Sequence, residues 1–270
     1  VFGRYGITMF AISGIDIALW DLLGKAENKS IADLLGGLKV NSLKAYASLF
    51  LYDNAEATSK VSLKAKNEGY EIIKLHENKM DPIKSSRSAI GETALMVDVN
   101  CVWPEEYMEE IIGILKDANL YWLEEPIWPP ENYKGLSKLR KNGITIASGE
   151  NACTSYQFEE MISNEAADIL QPSVTKVGGI SEIIKIALLK KNNFRVVPHS
   201  PYFGPGFMAT LQVIGALTPD SEIERLYVDL KADLYNGTSN IDSKGNISIP
   251  NGPGLGMEPN LEIIEKYSIK

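Results

Sequence analysis

Three carboxylates occur 26 residues apart in this chain, at Asp98, Glu124 and Glu150, each at or near the end of an apolar, strand-like run. A buried strand should not end in an acid unless another group compensates the charge, and clustered carboxylates partly protonate unless a cation lies between them. If the three strands are neighbours in a parallel barrel, the spacing predicts one divalent metal site. Hard oxygen ligands favour Mg²⁺ over Zn²⁺, and Mn²⁺ could substitute for it.

Other polar residues also fall where predicted strands end. Lys74 and His76 are two residues apart, so alternation places them on one face of their strand. His199 follows a later strand, and these two are the only histidines in the sequence. With an ordinary pKa of about 6.5, either imidazole could remove or return a proton near neutral pH. Beside Glu124, alternation leaves Glu125 off the barrel axis, so we expect it to be a surface or helix-capping carboxylate.

The elements that must position these residues alternate along the chain from residue 43 onward. Eight candidate strands with amphipathic helices between them favour an α/β fold, a TIM-type (β/α) barrel, over an open doubly wound sheet. We expect residues 1–40 to be a helical entry segment, 41–240 the catalytic barrel and 241–270 a C-terminal tail. The predicted strands are 43–49, 71–76, 95–100, 121–126, 145–150, 169–173, 195–199 and 224–229.

Bulk composition is that of an ordinary globular enzyme. The 270 residues suit one barrel domain, and the net charge of −8 argues against nucleic-acid binding, which depends on clustered Lys and Arg. No apolar stretch of about 20 residues predicts a membrane span, and no signal peptide is visible. The two cysteines are too few for a disulfide scaffold or a zinc cluster. We expect a cytoplasmic protein.

Taken in order, the motifs Lys-x-His, Asp-x-Asn, Glu-Glu-Pro, Gly-Glu-Asn, Gln-Pro-x-x-x-Lys-x-Gly-Gly and Pro-His span most of the chain. This order resembles the enolase superfamily, in its mandelate racemase and muconate lactonising branch. The resemblance implies that the three 26-residue-spaced acids bind Mg²⁺. It also implies that Lys74 and His76 replace a Lys-x-Lys pair, that His199 is the general base, and that Glu224 hydrogen-bonds the substrate carboxylate.

Two departures from the family pattern stand out. The family usually places Asp on the sixth strand to orient the seventh-strand histidine, but the aligned residue here is Ser173. A hydroxyl cannot stabilise imidazolium as a carboxylate does, so His199 should be a weaker base or find another partner. The second departure is that most of the family's N-terminal capping domain is missing, so the chain looks like a fragment.

The chemistry that the resemblance implies is removal of the proton α to a carboxylate. We expect a lyase that dehydrates a sugar acid to a 2-keto-3-deoxy acid, with racemisation or epimerisation of a 2-hydroxy or amino acid derivative as the alternative. Asn100, Ser173, Tyr202 and Glu224 are the candidate substrate-binding residues, although Tyr202 could equally be a packing aromatic. A small carboxylate is the expected partner, and a homo-oligomer is possible by resemblance. A metal-binding scaffold that needs its cap stays open, and a metal-dependent hydrolase is less favoured.

Overall fold

The computed structural model describes residues 3–189, 194–238 and 240–269. Its centre is a parallel sheet in which β1 pairs with β2 and β8, and each strand from β2 to β6 pairs with the next along the chain. The strands are Ser42–Ser48 (β1), Ile72–Leu75 (β2), Ala94–Asp98 (β3), Trp122–Glu124 (β4), Ile146–Ser148 (β5), Ile169–Leu170 (β6), Arg195–Val196 (β7) and Ile223–Leu226 (β8).

No ladder joins β7 to β8 within the described residues, and side chains bridge this seam. The Ser221 hydroxyl donates to the Val196 carbonyl, and the Arg195 guanidinium pairs with Glu222 at 2.7 Å. All eight predicted strands are present; β1 is as long as predicted but starts one residue earlier, and the other seven are shorter than predicted. The predicted TIM-type α/β fold is therefore confirmed.

Helices lie between the strands and cover the outside of the sheet. Their inward faces join the outward strand residues in one large apolar core. A side-chain cap begins α3, where the Asn54 carboxamide accepts from the Ala57 N–H at 2.9 Å. The helices are Ile7–Glu27 (α1), Ile31–Leu34 (α2), Ala55–Asn67 (α3), Met80–Ile90 (α4), Glu105–Asp117 (α5), Tyr133–Lys141 (α6), Ser155–Ser163 (α7), Ile180–Leu188 (α8), Pro205–Leu217 (α9) and Leu261–Tyr267 (α10).

The inward-facing strand residues form a second, smaller apolar cluster inside the sheet. Alternation sends every second side chain to this face, so the cluster draws one residue from each of β1 to β6 and one from just after β7. Edge-to-face packing of Tyr46 on Trp122, with ring centroids 5.8 Å apart, fills the centre. The cluster, called the lower layer below, contains Tyr46, Ile72, Met96, Trp122, Ala147, Ile169 and Val197.

Helix α1 corrects one sequence expectation. It has 21 residues and by length and composition is apolar enough to cross a membrane, whereas no apolar stretch of about 20 residues was predicted from the sequence. Its contacts are those of an entry helix lying on the barrel. The Ser13 hydroxyl accepts from the Gly178 N–H at 2.8 Å, and the Asp21 carboxylate accepts from the Leu255 N–H at 2.8 Å.

The C-terminal tail returns to the start of the sheet. A ninth strand, Asn246–Ser248 (β9), pairs antiparallel with the first residues of β1. The Gln212 carboxamide on α9 donates to the Pro250 carbonyl at 2.5 Å and accepts from the Ala32 N–H at 3.0 Å. The tail and the entry segment are thus both tied to α9, while the division at residues 40 and 240 stays a prediction.

Candidate active site

The site is built two residues beyond the lower layer on the same strands. Met96 and Trp122 face inward, so Asp98 and Glu124 face inward as well, and the register pairs these two acids directly. Both are at most 1% exposed. Two neighbouring strands therefore bring two of the predicted carboxylates side by side at the carboxyl end of the sheet.

Glu150 reaches the same place by a backbone irregularity. Gly149 has a φ of +128°, and a Cβ there would lie 2.7 Å from the Phe158 ring, so only glycine fits. Ala147 faces inward, and strict alternation would point Glu150 away from the axis. The turn at Gly149 brings Glu150 back to the site, where its side chain is 12% exposed.

Lys74 lies at the centre of a buried ion cluster. Its Nζ is 2.7 Å from Glu124 Oε1, 3.0 Å from Asp98 Oδ2 and 3.0 Å from Glu224 Oε1, and all four side chains are fully buried. Burial lowers the pKa of Lys74, but the three carboxylates raise it more, so the amine stays charged. One ammonium neutralises only part of this cluster. Burial together with Asp98 and Glu224 raises the pKa of Glu124 to about 7.

His199 forms an ion pair with the third predicted ligand. Its Nε2 is 2.7 Å from Glu150 Oε2, and ligand atoms of Glu124, Glu150 and His199 all lie within 4.8 Å of one another. Burial lowers the pKa of His199, but Glu150 raises it above the ordinary value, and His199 in turn holds the pKa of Glu150 below its own. The partner that stabilises imidazolium at this position is therefore Glu150.

His76 is held from two sides at the end of β2. Its Nδ1 is 2.5 Å from the Leu49 carbonyl, and its Nε2 is 3.3 Å from Asp98 Oδ2. Because a carbonyl only accepts, Nδ1 carries a proton and Nε2 is the nitrogen that faces the carboxylates. Burial lowers the pKa of His76, but Asp98 raises it above the ordinary value. His76 thus approaches the carboxylates from the end of β2, beside Asp98, and His199 approaches them from the end of β7, beside Glu150.

The four predicted substrate-binding residues lie in different environments. Glu224 is buried beneath the site, where its carboxylate accepts from Ser48 Oγ at 2.7 Å and from the Ser200 N–H at 3.0 Å, and Lys74 and His199 lower its pKa to about 2. Asn100 is exposed, and its backbone N–H donates to Asp98 Oδ1 at 2.9 Å. Ser173 and Tyr202 contact each other, 3.3 Å apart through their hydroxyls.

Ser173 does not take the place of the missing acid. Its hydroxyl contacts Thr175 and Tyr202, and His199 Nδ1 has no hydrogen-bond partner among the residues that the structure describes. The sequence left open whether Tyr202 is a packing aromatic or a polar residue of the site. It packs against the core, and its hydroxyl also donates to the His199 carbonyl at 3.1 Å. An open cavity of about 700 Å³ lies beside Glu150 and is also lined by Asn100, Cys101, Asn151, Cys153 and Lys176.

Comparison with known families and proteins agrees with this geometry. The model of the enolase C-terminal domain-like family matches residues 57–263, and that of the mandelate racemase/muconate lactonizing enzyme N-terminal domain matches residues 2–36. The chain belongs to this enolase-superfamily family.

Relatives within the family are sugar-acid enzymes by name. The chain is 32% identical to arabinonate dehydratase of Saccharolobus solfataricus, covering 100% of this chain and 75% of the relative. It is 32% identical to D-galactarolactone cycloisomerase of Agrobacterium fabrum, covering 98% and 75%. The crystal structure of 3,6-anhydro-D-galactonate cycloisomerase from Zobellia galactanivorans superposes with a TM-score of 0.89 at 30% identity, covering 100% of this chain and 78% of that one.

These relatives confirm the predicted family and the class of enzyme. In fold and sequence the chain is similar to enolase-superfamily enzymes that act as acid-sugar dehydratases or isomerases. These are the two predicted enzyme classes, lyase as the first choice and isomerase as the second. It spans about three quarters of the length of the two curated relatives.

The residues present fit a cation in this family's usual position. Asp98 Oδ2 and Glu150 Oε2 are buried and, within the described part of the chain, have no partner in hydrogen-bond geometry, although Lys74, His76 and His199 nitrogens lie near them. These two oxygens are charged acceptors that meet only ion-pair partners, and with Glu124, whose pKa burial raises, they offer ligands that a divalent cation would satisfy. The donor set is mainly carboxylate oxygen, which suits Mg²⁺ or Mn²⁺.

Glu125 is the residue that sequence reasoning placed wrongly. It is 1% exposed and not at the surface, because its backbone adopts a positive φ of 43° after β4 and turns the side chain into the space between β3 and β5. Burial, followed by the charge of Glu150, raises its pKa to about 7. Strict alternation from Glu124 could not show this turn, since it depends on a left-handed residue that the sequence does not mark.

Proposed function

We propose that this chain catalyses Mg²⁺-dependent removal of the proton α to a carboxylate, and that its reaction is the dehydration of a sugar acid to a 2-keto-3-deoxy acid. Two observations carry the proposal. Asp98 lies beside Glu124 on the neighbouring strand and 3.3 Å from His76, and the ligand atoms of Glu124, Glu150 and His199 lie within 4.8 Å of one another. Members of the superfamily generally use Mg²⁺, which supports the choice of metal. When bound by the three carboxylates, Mg²⁺ would stabilise negative charge developing on the substrate carboxylate.

The remaining steps belong to residues of the chain. His199 removes the α proton through Nε2, the nitrogen that faces Glu150 at 2.7 Å. A cation held by Glu150 would compete with this ion pair and favour the neutral imidazole that a base requires. Lys74 binds the substrate carboxylate by charge, and Glu224 holds Lys74 in place from below. His76, with its Nε2 facing the site, delivers a proton to the departing 3-hydroxyl, so that water leaves. Asn100, Ser173 and Tyr202 are proposed to bind hydroxyls of the sugar acid.

An isomerase is the second candidate, because a cycloisomerase is as similar to this chain as a dehydratase is. Proton removal is common to both reactions, and the fate of the substrate distinguishes them. Dehydration releases water and leaves a 2-keto acid, whereas isomerisation returns a proton to carbon and releases nothing.

The test is incubation with a panel of aldonates and aldarates, and their lactones, in D₂O with Mg²⁺. We expect exchange of the α proton, seen by NMR, together with a 2-keto acid detected as its semicarbazone. Removal of the metal with EDTA, and separately Asp98→Asn, should abolish both signals. Exchange without keto acid would indicate the isomerase, and a panel with no exchange by a protein that binds Mg²⁺ would favour a non-catalytic scaffold.

A further inference from the structure

Glu125 contacts all three chain segments that carry the proposed metal ligands. It directly follows Glu124 in sequence. Its Oε1 accepts from the Gly149 N–H at 2.9 Å and from Ser148 Oγ at 3.2 Å, just before Glu150. Its Oε2 accepts from Cys101 Sγ at 3.1 Å, three residues after Asp98.

The backbone of Glu125 repeats these connections. Its N–H donates to the Ala147 carbonyl at 3.1 Å, and its own carbonyl accepts from the Cys101 N–H at 2.7 Å. Five hydrogen bonds from one residue thus join the end of β4 to β5, to the turn that follows β5 and to the segment that follows β3. The Glu125 carboxylate accepts from each of its three donors, and among them it satisfies the Gly149 N–H, which would otherwise have no partner.

The segments held in this way are in conformations that need support. Asn100, Cys101 and Glu125 all have positive φ values, of 48°, 59° and 43°. Such values are uncommon outside glycine, and residues held there depend on the surrounding structure to keep them in place. The turn at Gly149 is in direct contact with the Glu125 carboxylate, and that turn is what directs Glu150 to the site.

We propose that Glu125 is a positioning residue that sets the spacing of Asp98, Glu124 and Glu150 for one cation without binding the cation itself. The inference rests on the proposed role of the three acids as metal ligands. Carboxylates that orient metal ligands from behind are worth about 10- to 100-fold in metal affinity. The essential feature is an acceptor oxygen for the Gly149 N–H, and the negative charge of Glu125 is not required.

Two substitutions separate the acceptor from the charge. Glu125→Gln removes the charge but keeps an oxygen for the Gly149 N–H, and its amide can donate to Cys101, because a thiol sulfur also accepts. Glu125→Leu removes both charge and acceptor at a similar size. Glu110→Leu, the same change at an exposed position on α5, is the matched control.

The measurement is the Kd of Mg²⁺ by calorimetry, together with the EPR spectrum of bound Mn²⁺, for proteins whose metal-free circular dichroism matches the parent. We expect Glu125→Leu to bind Mg²⁺ about 10- to 100-fold more weakly, with a changed Mn²⁺ spectrum, and Glu125→Gln to stay within about threefold. Glu110→Leu should not differ from the parent. If Glu125→Leu does not fold, Ser148→Ala and Cys101→Ala each remove one donor and should each weaken binding by about twofold to fivefold.

Equal losses for Glu125→Gln and Glu125→Leu would show that charge alone matters and would overturn the inference. Unchanged affinity in Glu125→Leu, or in both single-donor variants, would overturn it as well while leaving the proposed function intact. A parent protein that binds no Mg²⁺ would overturn the proposed function, and this inference with it.

Discussion

Two layers of side chains inside the same sheet contrast sharply. The lower layer is apolar and buried, whereas two residues further along four of the same strands the side chains are Lys74, Asp98, Glu124 and His199. These four, with Glu150 and with Glu224 of β8 beside Lys74, form the upper layer. On β3 the change from one layer to the other is the step from Met96 to Asp98. Strand alternation therefore directs the side chains of both layers to the inside of the sheet. The residue types alone decide that one layer packs and the other can carry chemistry.

The upper layer is electrostatically unbalanced by its own composition. Four carboxylates, counting Glu150, face Lys74 and two histidines, and Lys176 Nζ lies 3.5 Å from Glu150 Oε1, so the layer carries excess negative charge unless both imidazoles are protonated. The lower layer has no comparable conflict among the described residues that form it. The comparison predicts that substitutions in the upper layer should alter metal binding and catalysis, and that substitutions in the lower layer should alter stability alone.

The largest effect is expected for His199→Gln. A positioned general base contributes about 10²- to 10⁴-fold to rate, so α-proton exchange should fall by that factor at pH 7.5, measured by NMR in D₂O. The Kd of Mg²⁺ should not weaken, since the imidazolium that competes for Glu150 is gone. Exchange at the parent rate would show that His199 is not the base.

Lys74→Met should give the next largest effect, on stability. Removing the ammonium leaves Asp98, Glu124 and Glu224 buried around a methyl group, which should cost about 3–5 kcal/mol in the free energy of unfolding. Urea denaturation with and without Mg²⁺ measures this, and Mg²⁺ should recover part of the loss. A variant as stable as the parent would contradict the ion cluster.

The stability of the His199–Glu150 ion pair depends on pH through the shifted pKa values of both groups, and Mg²⁺ binding competes with this pair. His199 has a raised pKa, so its ion pair with Glu150 contributes its full stability below the ordinary histidine pKa of 6.5 and loses it as pH rises through the folded value. Glu150 has a lowered pKa, so its contribution is present above 4.5 and is lost in acid. The metal-free pair therefore stabilises the fold most between these values.

Mg²⁺ must take Glu150 from that pair and must bind Glu124 without its proton, so its affinity should rise with pH until His199 is neutral and Glu124 is ionised, by up to about tenfold per unit for each proton released. Calorimetry between pH 6 and 9 measures the slope. His199→Gln should remove the contribution of the imidazole and make the slope shallower, and an equally steep slope in that variant would contradict this role of His199.

Ile169→Val tests the lower layer and should have the smallest effect. The loss of one buried methylene costs about 0.5–1.5 kcal/mol of unfolding free energy. The Kd of Mg²⁺ should remain within about twofold of the parent value. A large change in metal affinity would show that packing in the lower layer also positions the metal ligands, and would contradict the separation of the two layers.

What the sequence could predict follows the same division. Regular alternation and the 26-residue spacing were enough to place the strands, Asp98, Glu124 and the two histidines, because extended backbone fixes side-chain direction. The misplacement of Glu125 came from a left-handed residue, and the partner of His199 came from a turn at Gly149; neither is set by alternation. The helical entry segment was predicted, but the 21-residue apolar length of α1 was not.

The most direct test of the magnesium site is a crystal soaked in Mn²⁺ and measured at the manganese absorption edge. We predict one strong anomalous peak per chain, with carboxylate oxygens of Asp98, Glu124 and Glu150 about 2.1–2.3 Å from it. No peak among these residues at saturating Mn²⁺, or a peak held by other side chains, would contradict the account.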